Sequence, residues 1–355
     1  MVSIATTGTT DRAFSADTGM AECLVLAKRL ASPRSAGGIA TVRYANLAKR
    51  PMTLLEAHES ARKVHRGAVV KGTFRDSGAA GIQDADVGHM LTALRNGNLE
   101  LPRVARRYRI PMTEMRNLAE RGLYHMDING EDGRGAFDIR MGQGRGVPTY
   151  PVLWKHDADR ERLLAVEPDS RGAVRTGMQD EAKAAWLATA SRLHHNVDFR
   201  INSQSLGACL TESPCIGGRA WPNLLPHSDA FDVPLVLWLN STLGLMLYWW
   251  CGVRQQMGRA SLKITAVPMM PTLDARTLAK KQLKRFEEIR GEFAGREFLP
   301  ANEAYRDDAR KELDAALFGV LGLPERLLTS LDLLRLKWCC EPSVHGGKNT
   351  KPSEA

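Results

Sequence analysis

The chain has 355 residues, 43% of them apolar and 25% charged, enough to bury a sizeable core in two or three globular units. A net charge of +9 and a pI of about 9.4 suit a polyanionic partner. The six cysteines (Cys23, Cys209, Cys215, Cys251, Cys339 and Cys340) show neither zinc-finger spacing nor a compact secreted framework, so buried reduced thiols in a reducing, cytoplasmic setting are expected.

The first sixteen residues read as irregular, with no basic and apolar leader pattern. Residues 20–28 (MAECLVLAK) and 38–44 (GIATVRY) read as strands joined through a turn-rich SPRSAG linker, a long-looped hairpin. Residues 53–66 have helical spacing, with Thr53 and Glu56 placed as a capping box. Residues 101–121 (LPRVARRYRIPMTEMRNLAER) have the outline of a helix-turn-helix: a basic amphipathic helix, a break at Ile110-Pro111, and a second helix capped by Thr113. Residues 130–151 are rich in Gly and Arg. GQGRG lacks both the strand-turn-helix setting and the Lys-Ser/Thr of a nucleotide loop, so a flexible basic loop is expected.

Short strands are predicted at residues 150–154 and 163–166, pairing with each other, and at 198–201 and 207–211, with a helix over 180–192. Cys209 and Cys215, with His194 and His195 upstream, could compose a metal site, but buried thiols are the expected state. CIGGRAWPNLLP turns at Gly217-Gly218 and Pro222 and displays Arg219 and Trp221. Residues 233–248 form an apolar run broken only by Asn240, Ser241 and Thr242. The sole membrane candidate is the longer stretch 233–253, and those three polar residues near its middle, with Pro234 near its start, make it a buried helix instead. Residues 249–259 then carry two Trp, two Arg, two Gln and two Gly, and 260–267 alternate as a strand. Rings, guanidinium forks and amides are the groups that read base edges and hold phosphates. Beyond Asp274 the chain is charged and helical (275–290, 302–321, 324–336), ending in a polar tail over 341–355 expected to be disordered.

No G-x-S-x-G, H-E-x-x-H, Walker loop or Cys-x-x-Cys occurs. Seven stretches in order, ADTGMAECLVLAK, PTYPVLWKHDADRERLL, FRINSQSLGACLT, GGRAWPN, LWLNSTLGLMLYWW, QQMGRASLKITAVPMMPTLD and WCCEPSVHGGK, resemble the C-terminal portion of N-6 adenine DNA methyltransferases of restriction-modification and phage-defence systems. The glycine-rich S-adenosylmethionine motif and the Asn/Asp-Pro-Pro-Tyr/Phe motif of that family are not in this sequence. The resemblance therefore implies a target-recognition fragment, a separate subunit or truncated frame, with no cofactor of its own. S-adenosylmethionine would be expected only with the missing N-terminal part. Double-stranded DNA is the implied partner, together with a methyltransferase catalytic chain, and no membrane.

The implied fold class is α+β: a strand-pair remnant of the methyltransferase domain (1–50), a helical connector (51–147), a mixed target-recognition region (148–274), a helical C-terminal region (275–340) and the tail. The residues predicted to contact DNA are Arg200, Asn202, Gln204, Arg219, Trp221, Arg254, Gln255, Gln256, Arg259 and Lys263, with Lys263 on phosphate. A helix-turn-helix regulator using residues 101–121, an active methyltransferase with a degenerate site, and a purely structural subunit are the competing readings.

Overall fold

The computed structural model describes residues 2–6, 23–27, 41–46, 53–56, 58–59, 62, 69–71, 82, 84–131, 133–141, 148–255, 259–263 and 265–345. Helices and mixed sheets make the fold α+β.

Strands β1 (Val2–Thr6), β2 (Cys23–Ala27), β3 (Thr41–Asn46) and β4 (Val69–Lys71) form a sheet in the order β2-β1-β3-β4. The expected hairpin between the second and third strands does not form. The stretch read as irregular supplies β1, which lies between them, antiparallel to β2 and parallel to β3. Its VSIAT sequence has the alternating β-branched pattern of a strand. The predicted capping box is present: the Glu56 N–H donates to Thr53 Oγ1 and the Thr53 N–H to Glu56 Oε2, both at 3.2 Å. Helix α1 (Ala85–Arg95) is capped by Asp84, which accepts from the N–H groups of Asp86 and Val87.

The helix-turn-helix is overturned, because residues 101–121 contain no α-helix. β5 (Asn98–Leu99) pairs with β6 (Tyr108–Arg109), while β7 (Met112–Glu114) and β8 (Ala119–Arg121) flank a single 3-10 turn, Met115–Asn117. Pro111 has no N–H for a helix ladder, and Arg103 sits at a left-handed φ of 62°.

After the four-residue helix α2 (His125–Ile128) come β9 (Phe137–Met141), β10 (Thr149–Leu153), β11 (Ser170–Val174), α3 (Gln179–Thr189), β12 (Ser191–His195), β13 (Asp198–Arg200), β14 (Ala208–Gly217) and β15 (Asn223–Pro226). Seven strands make one sheet, β8-β15-β12-β14-β10-β11-β9, antiparallel except for β10 beside β14. Residues 163–166 do not pair with β10 as expected; Ala165 bridges Leu210 on β14 instead. The GQGRG segment lies outside the described residues.

The apolar run forms two helices, not one. α4 (Asp232–Asn240) and α5 (Thr242–Cys251) bend by 80° at Ser241, which accepts from the Gly244 N–H to start the second. Gly244 is required at the bend, since a Cβ there would meet the Trp238 carbonyl oxygen at 1.9 Å. No single helix among the described residues is long and apolar enough to cross a membrane; α4 and α5 are buried in the protein. β16 (Val253–Gln255) and β17 (Arg259–Ser261) join β13 in a three-stranded sheet. The strand expected over 260–267 stops at Ser261, and a 3-10 turn at Val267–Met269 leads to β18 (Pro271–Leu273), the partner of β7.

α6 (Lys280–Glu292), α7 (Asp308–Val320) and α8 (Leu328–Cys339) match the expected C-terminal helices. The expected disorder does not hold for residues 341–345. α9 (Pro342–His345) is packed: the buried Glu341 accepts from the Asp84 N–H at 2.6 Å, and Ser343 accepts from Trp249 Nε1 at 3.1 Å. Residues 346–355 lie outside the described residues.

Polar side chains tie these helices to the bend. Asp314 on α7 accepts from the Thr242 N–H at 2.9 Å, from the Thr242 hydroxyl and from Arg335 Nη2 at 2.7 Å, and Arg335 Nε donates to Thr242 Oγ1 at 2.9 Å. Arg310 donates to the carbonyls of Asn240, Ser205 and Leu299 and pairs with Asp307. All four charged groups are almost fully buried. Removing one partner of such a set strands a charge in the core. Asp314→Ala is therefore expected to cost about 3–5 kcal/mol in urea unfolding; a loss below about 1 kcal/mol would show that Asp314 is dispensable to the bend.

Candidate nucleic-acid interface

An open cleft of about 870 Å³ lies between the seven-stranded sheet and the three-stranded one. One wall follows the end of β10 and the β14–β15 loop; the other follows β13 and the residues after β17.

The segment after β10 is held by two carboxylates. Asp169 accepts from the N–H groups of Trp154 and Lys155, each at 2.9 Å, and Arg160 pairs with its Oδ2 at 3.3 Å. Glu161, 1% exposed, accepts from the Asp157 N–H at 2.9 Å and from Trp221 Nε1 at 2.7 Å, and its Oε2 lies 3.3 Å from His156 Nδ1. Trp154, Lys155 and His156 all line the cleft. Their backbone and one ring are thus fixed before any ligand arrives. Gly218 lies against the Trp154 ring, where a Cβ would approach within 2.2 Å, and donates its N–H to the Leu153 carbonyl at 2.8 Å. Asn223 closes the same loop by accepting from the Gly217 N–H and donating to the Cys215 carbonyl. Arg219 is left exposed at the tip.

Arg121, Lys155, Arg219 and Lys263 line the cleft against one carboxylate, Asp198. Arg121 stacks over Tyr124 at 5.5 Å, and its buried Nε has no hydrogen-bond partner among the described residues. Partial desolvation lowers its pKa, with the Tyr124 phenol opposing. Such a guanidinium gains from an anion.

The structure sorts the predicted contact residues. Arg219 and Lys263 are exposed and share the cleft; Arg200 is exposed and Asn202 half-buried beside it in sequence. Register pairs Arg200 with Arg259 and Arg259 with Gln255, so the three occupy one row across β13, β17 and β16; Arg254 lies opposite Ala260. Gln256 lies outside the described residues. Two expectations need correction. Gln204 is buried and accepts from the Arg200 N–H at 2.6 Å and from Asn196 at 3.3 Å, so its amide oxygen is spent on the loop. Trp221 is fully buried and serves as a hydrogen-bond donor to Glu161, with its ring edge-on to His156 at 5.6 Å. It braces the site without facing a ligand.

Sequence reasoning missed Arg121, Tyr124, Trp154, Lys155, His156 and Glu161. The available signal was WKH at a strand end, followed five residues after His156 by Glu161.

The Cys-His cluster behaves as packing. Cys215 Sγ lies 3.4 Å from His194 Nε2, and burial pushes the Cys215 thiol up to about 12 and Cys209 well up. No group of three or more His, Cys, Asp or Glu among the described residues is placed to hold a metal.

No protein-family model matches the chain, and no curated protein matches it. Among solved structures, the type IIG restriction endonuclease BpuSI is similar at a TM-score of 0.45 and 11% identity, over 82% of this chain and 36% of that one. The chain thus spans about a third of that protein's length.

Burial holds the pKa of His194 down at about 4 and that of His195 at about 3, with the Arg121 charge adding to the second. Unfolded histidines take up protons near 6.5. The unfolded state therefore binds more protons between those values, and stability falls as pH drops from about 6.5 toward 4. Asp232, raised to about 6 by burial, acts in the opposite sense between about 6 and 4, where the folded state holds the extra proton. Two histidines outweigh one carboxyl, so urea midpoints should fall between pH 7 and 5. His195→Leu should recover about 2 kcal/mol of the loss at pH 5; an unchanged slope in that variant would refute the assignment.

Proposed function

We propose that this chain binds duplex DNA and reads its sequence, as the target-recognition portion of an adenine-methylating restriction-modification or defence system, with the chemistry supplied by a partner chain. The observation that carries this reading is the row Arg200–Arg259–Gln255 across three strands, beside the cleft lined by Arg219 and Lys263. A sheet fixes the spacing of such groups better than a free loop does. Glutamine pairs bidentately with adenine, arginine with guanine or phosphate, and lysine with phosphate. The net charge of +9 supplies attraction to any duplex.

If about five phosphates are neutralised, the log of the binding constant should fall against log salt with a slope of roughly −4 to −5. A flat response would favour the structural-subunit reading. In competition between specific and scrambled duplexes, Gln255→Ala with Arg259→Ala should lose about 1–3 kcal/mol of discrimination per base contact removed. The exposed Arg103, Arg106 and Arg107, which lie away from the row in sequence, serve as the control: their change to Ala should weaken binding modestly and equally on all sequences. Discrimination that follows these three arginines and ignores the Gln255–Arg259 pair would refute the placement.

A further inference from the structure

We propose that the cleft beside the row takes one nucleotide as a unit, its base against the Trp154 and Tyr124 side and its phosphate against Lys155, Arg219 and Lys263. This rests on the nucleic-acid reading and names what its hollow accepts. A volume of about 870 Å³ falls among small-ligand and cofactor sites, roughly 300–1,000 Å³. A single nucleotide fits such a space and a base pair with both its backbones does not, so a base can enter it only unpaired.

Charge and ring chemistry agree. Lys155, Arg219 and Lys263 form no ion pair among the described residues, so their charge is free for an anion. A base presents a π face to any aromatic ring, which makes stacking tolerant of base identity. The second observation is the investment of Glu161. A carboxylate at 1% exposure accepts from three donors: the His156 ring and the Asp157 N–H of the segment that carries Trp154, Lys155 and His156, and Trp221 of the β14–β15 loop, which it ties to that segment. With Nδ1 engaged by Glu161, His156 has Nε2 left for a ligand, and its side chain is 27% accessible. A loop held only for stability has no need to orient one partly exposed imidazole in this way.

The source of the nucleotide is either free in solution or part of a strand, and binding tests separate the two. The probe is a single-stranded oligonucleotide carrying one 2-aminopurine, titrated with the full chain. Stacking should quench its emission. Trp154→Phe should keep the quenching, and Trp154→Leu, which removes the π face, should abolish it even where the urea midpoint shows the fold intact. Lys155→Ala and Arg219→Ala, both at exposed positions, should each weaken binding by about tenfold while leaving the urea midpoint unchanged. Competition by free dAMP would assign a free nucleotide; quenching that dAMP does not compete away would assign a nucleotide within a strand.

Two outcomes overturn the proposal. In the first, deoxyribose 5-phosphate competes as well as dAMP, so the base contributes nothing. In the second, no substitution at Trp154, Lys155 or Arg219 changes binding of the probe. Salt-dependent duplex binding that persists in either case would leave the target-recognition reading standing alone.

Discussion

The polar step Asn240–Ser241–Thr242 organises this molecule. α4 and α5 are apolar on nearly every face, and burial of apolar surface is non-directional. It cannot by itself choose the angle between them or the rotation of their neighbours. Hydrogen bonds can. Ser241 ends one helix and caps the next. The Asn240 side chain accepts from the Gly207 N–H at 2.9 Å and donates to the Ala208 carbonyl at 2.7 Å, which sets where β14 begins. Thr242 and the Asn240 carbonyl receive Asp314, Arg335 and Arg310 from the C-terminal helices. A buried ion pair adds little net energy over an apolar replacement, but it penalises every arrangement in which its members separate. The bend, the sheet and the helical layer are therefore locked by one set of contacts.

The cleft inherits its geometry from the same centre. The Tyr248 hydroxyl on α5 donates to the Asn196 carbonyl at 2.6 Å, and its ring meets Phe199 edge-on at 5.4 Å. The Leu262 N–H then donates to the Val197 carbonyl at 2.9 Å. α5 thus positions β13 and β17, one wall of the cleft. The opposite wall depends on Glu161, Asp169 and Asn223, whose hydrogen bonds fix short segments that carry cations and rings.

The sequence was legible where chemistry is local. Thr53 and Glu56 announce a cap, the C-terminal helices show their 3.6-residue period, and the Asn-Ser-Thr interruption marks a buried element. It misled where pairing is remote. Residues 112–114 read as helical because arginines and leucines surround them, yet their partner is Pro271–Leu273, more than 150 residues on. β1 lies between two strands that looked like each other's partners. Among the predicted contact residues, Arg200, Arg219 and Lys263 are exposed, as their type suggests. Gln204 and Trp221 were misassigned because burial, which converts a base-reading group into a brace, depends on the whole fold. Trp154 and His156 were passed over for the converse reason: their place in the cleft comes from Asp169 and Glu161, and only tertiary structure shows those contacts.

Paired charge is unevenly distributed over this protein. In the C-terminal helical region arginines are largely answered locally: Arg285 by Glu288 and Glu292, Arg290 by Glu287, Arg296 by Glu312 and Arg306 by Glu303. Their fields cancel within a few ångströms. Lys280, Lys281 and Lys284 form a basic run on α6, but the hollow beside that helix has no aromatic ring in its lining. At the cleft, cations, rings and a preformed floor coincide. Long-range attraction needs only net charge, but a stable complex needs groups already aimed when the anion arrives, because ordering them at the moment of binding costs affinity. The cleft supplies such a fixed frame, with Glu161 and Asp169 holding one wall and Tyr248 tying the other back to the bend at Ser241.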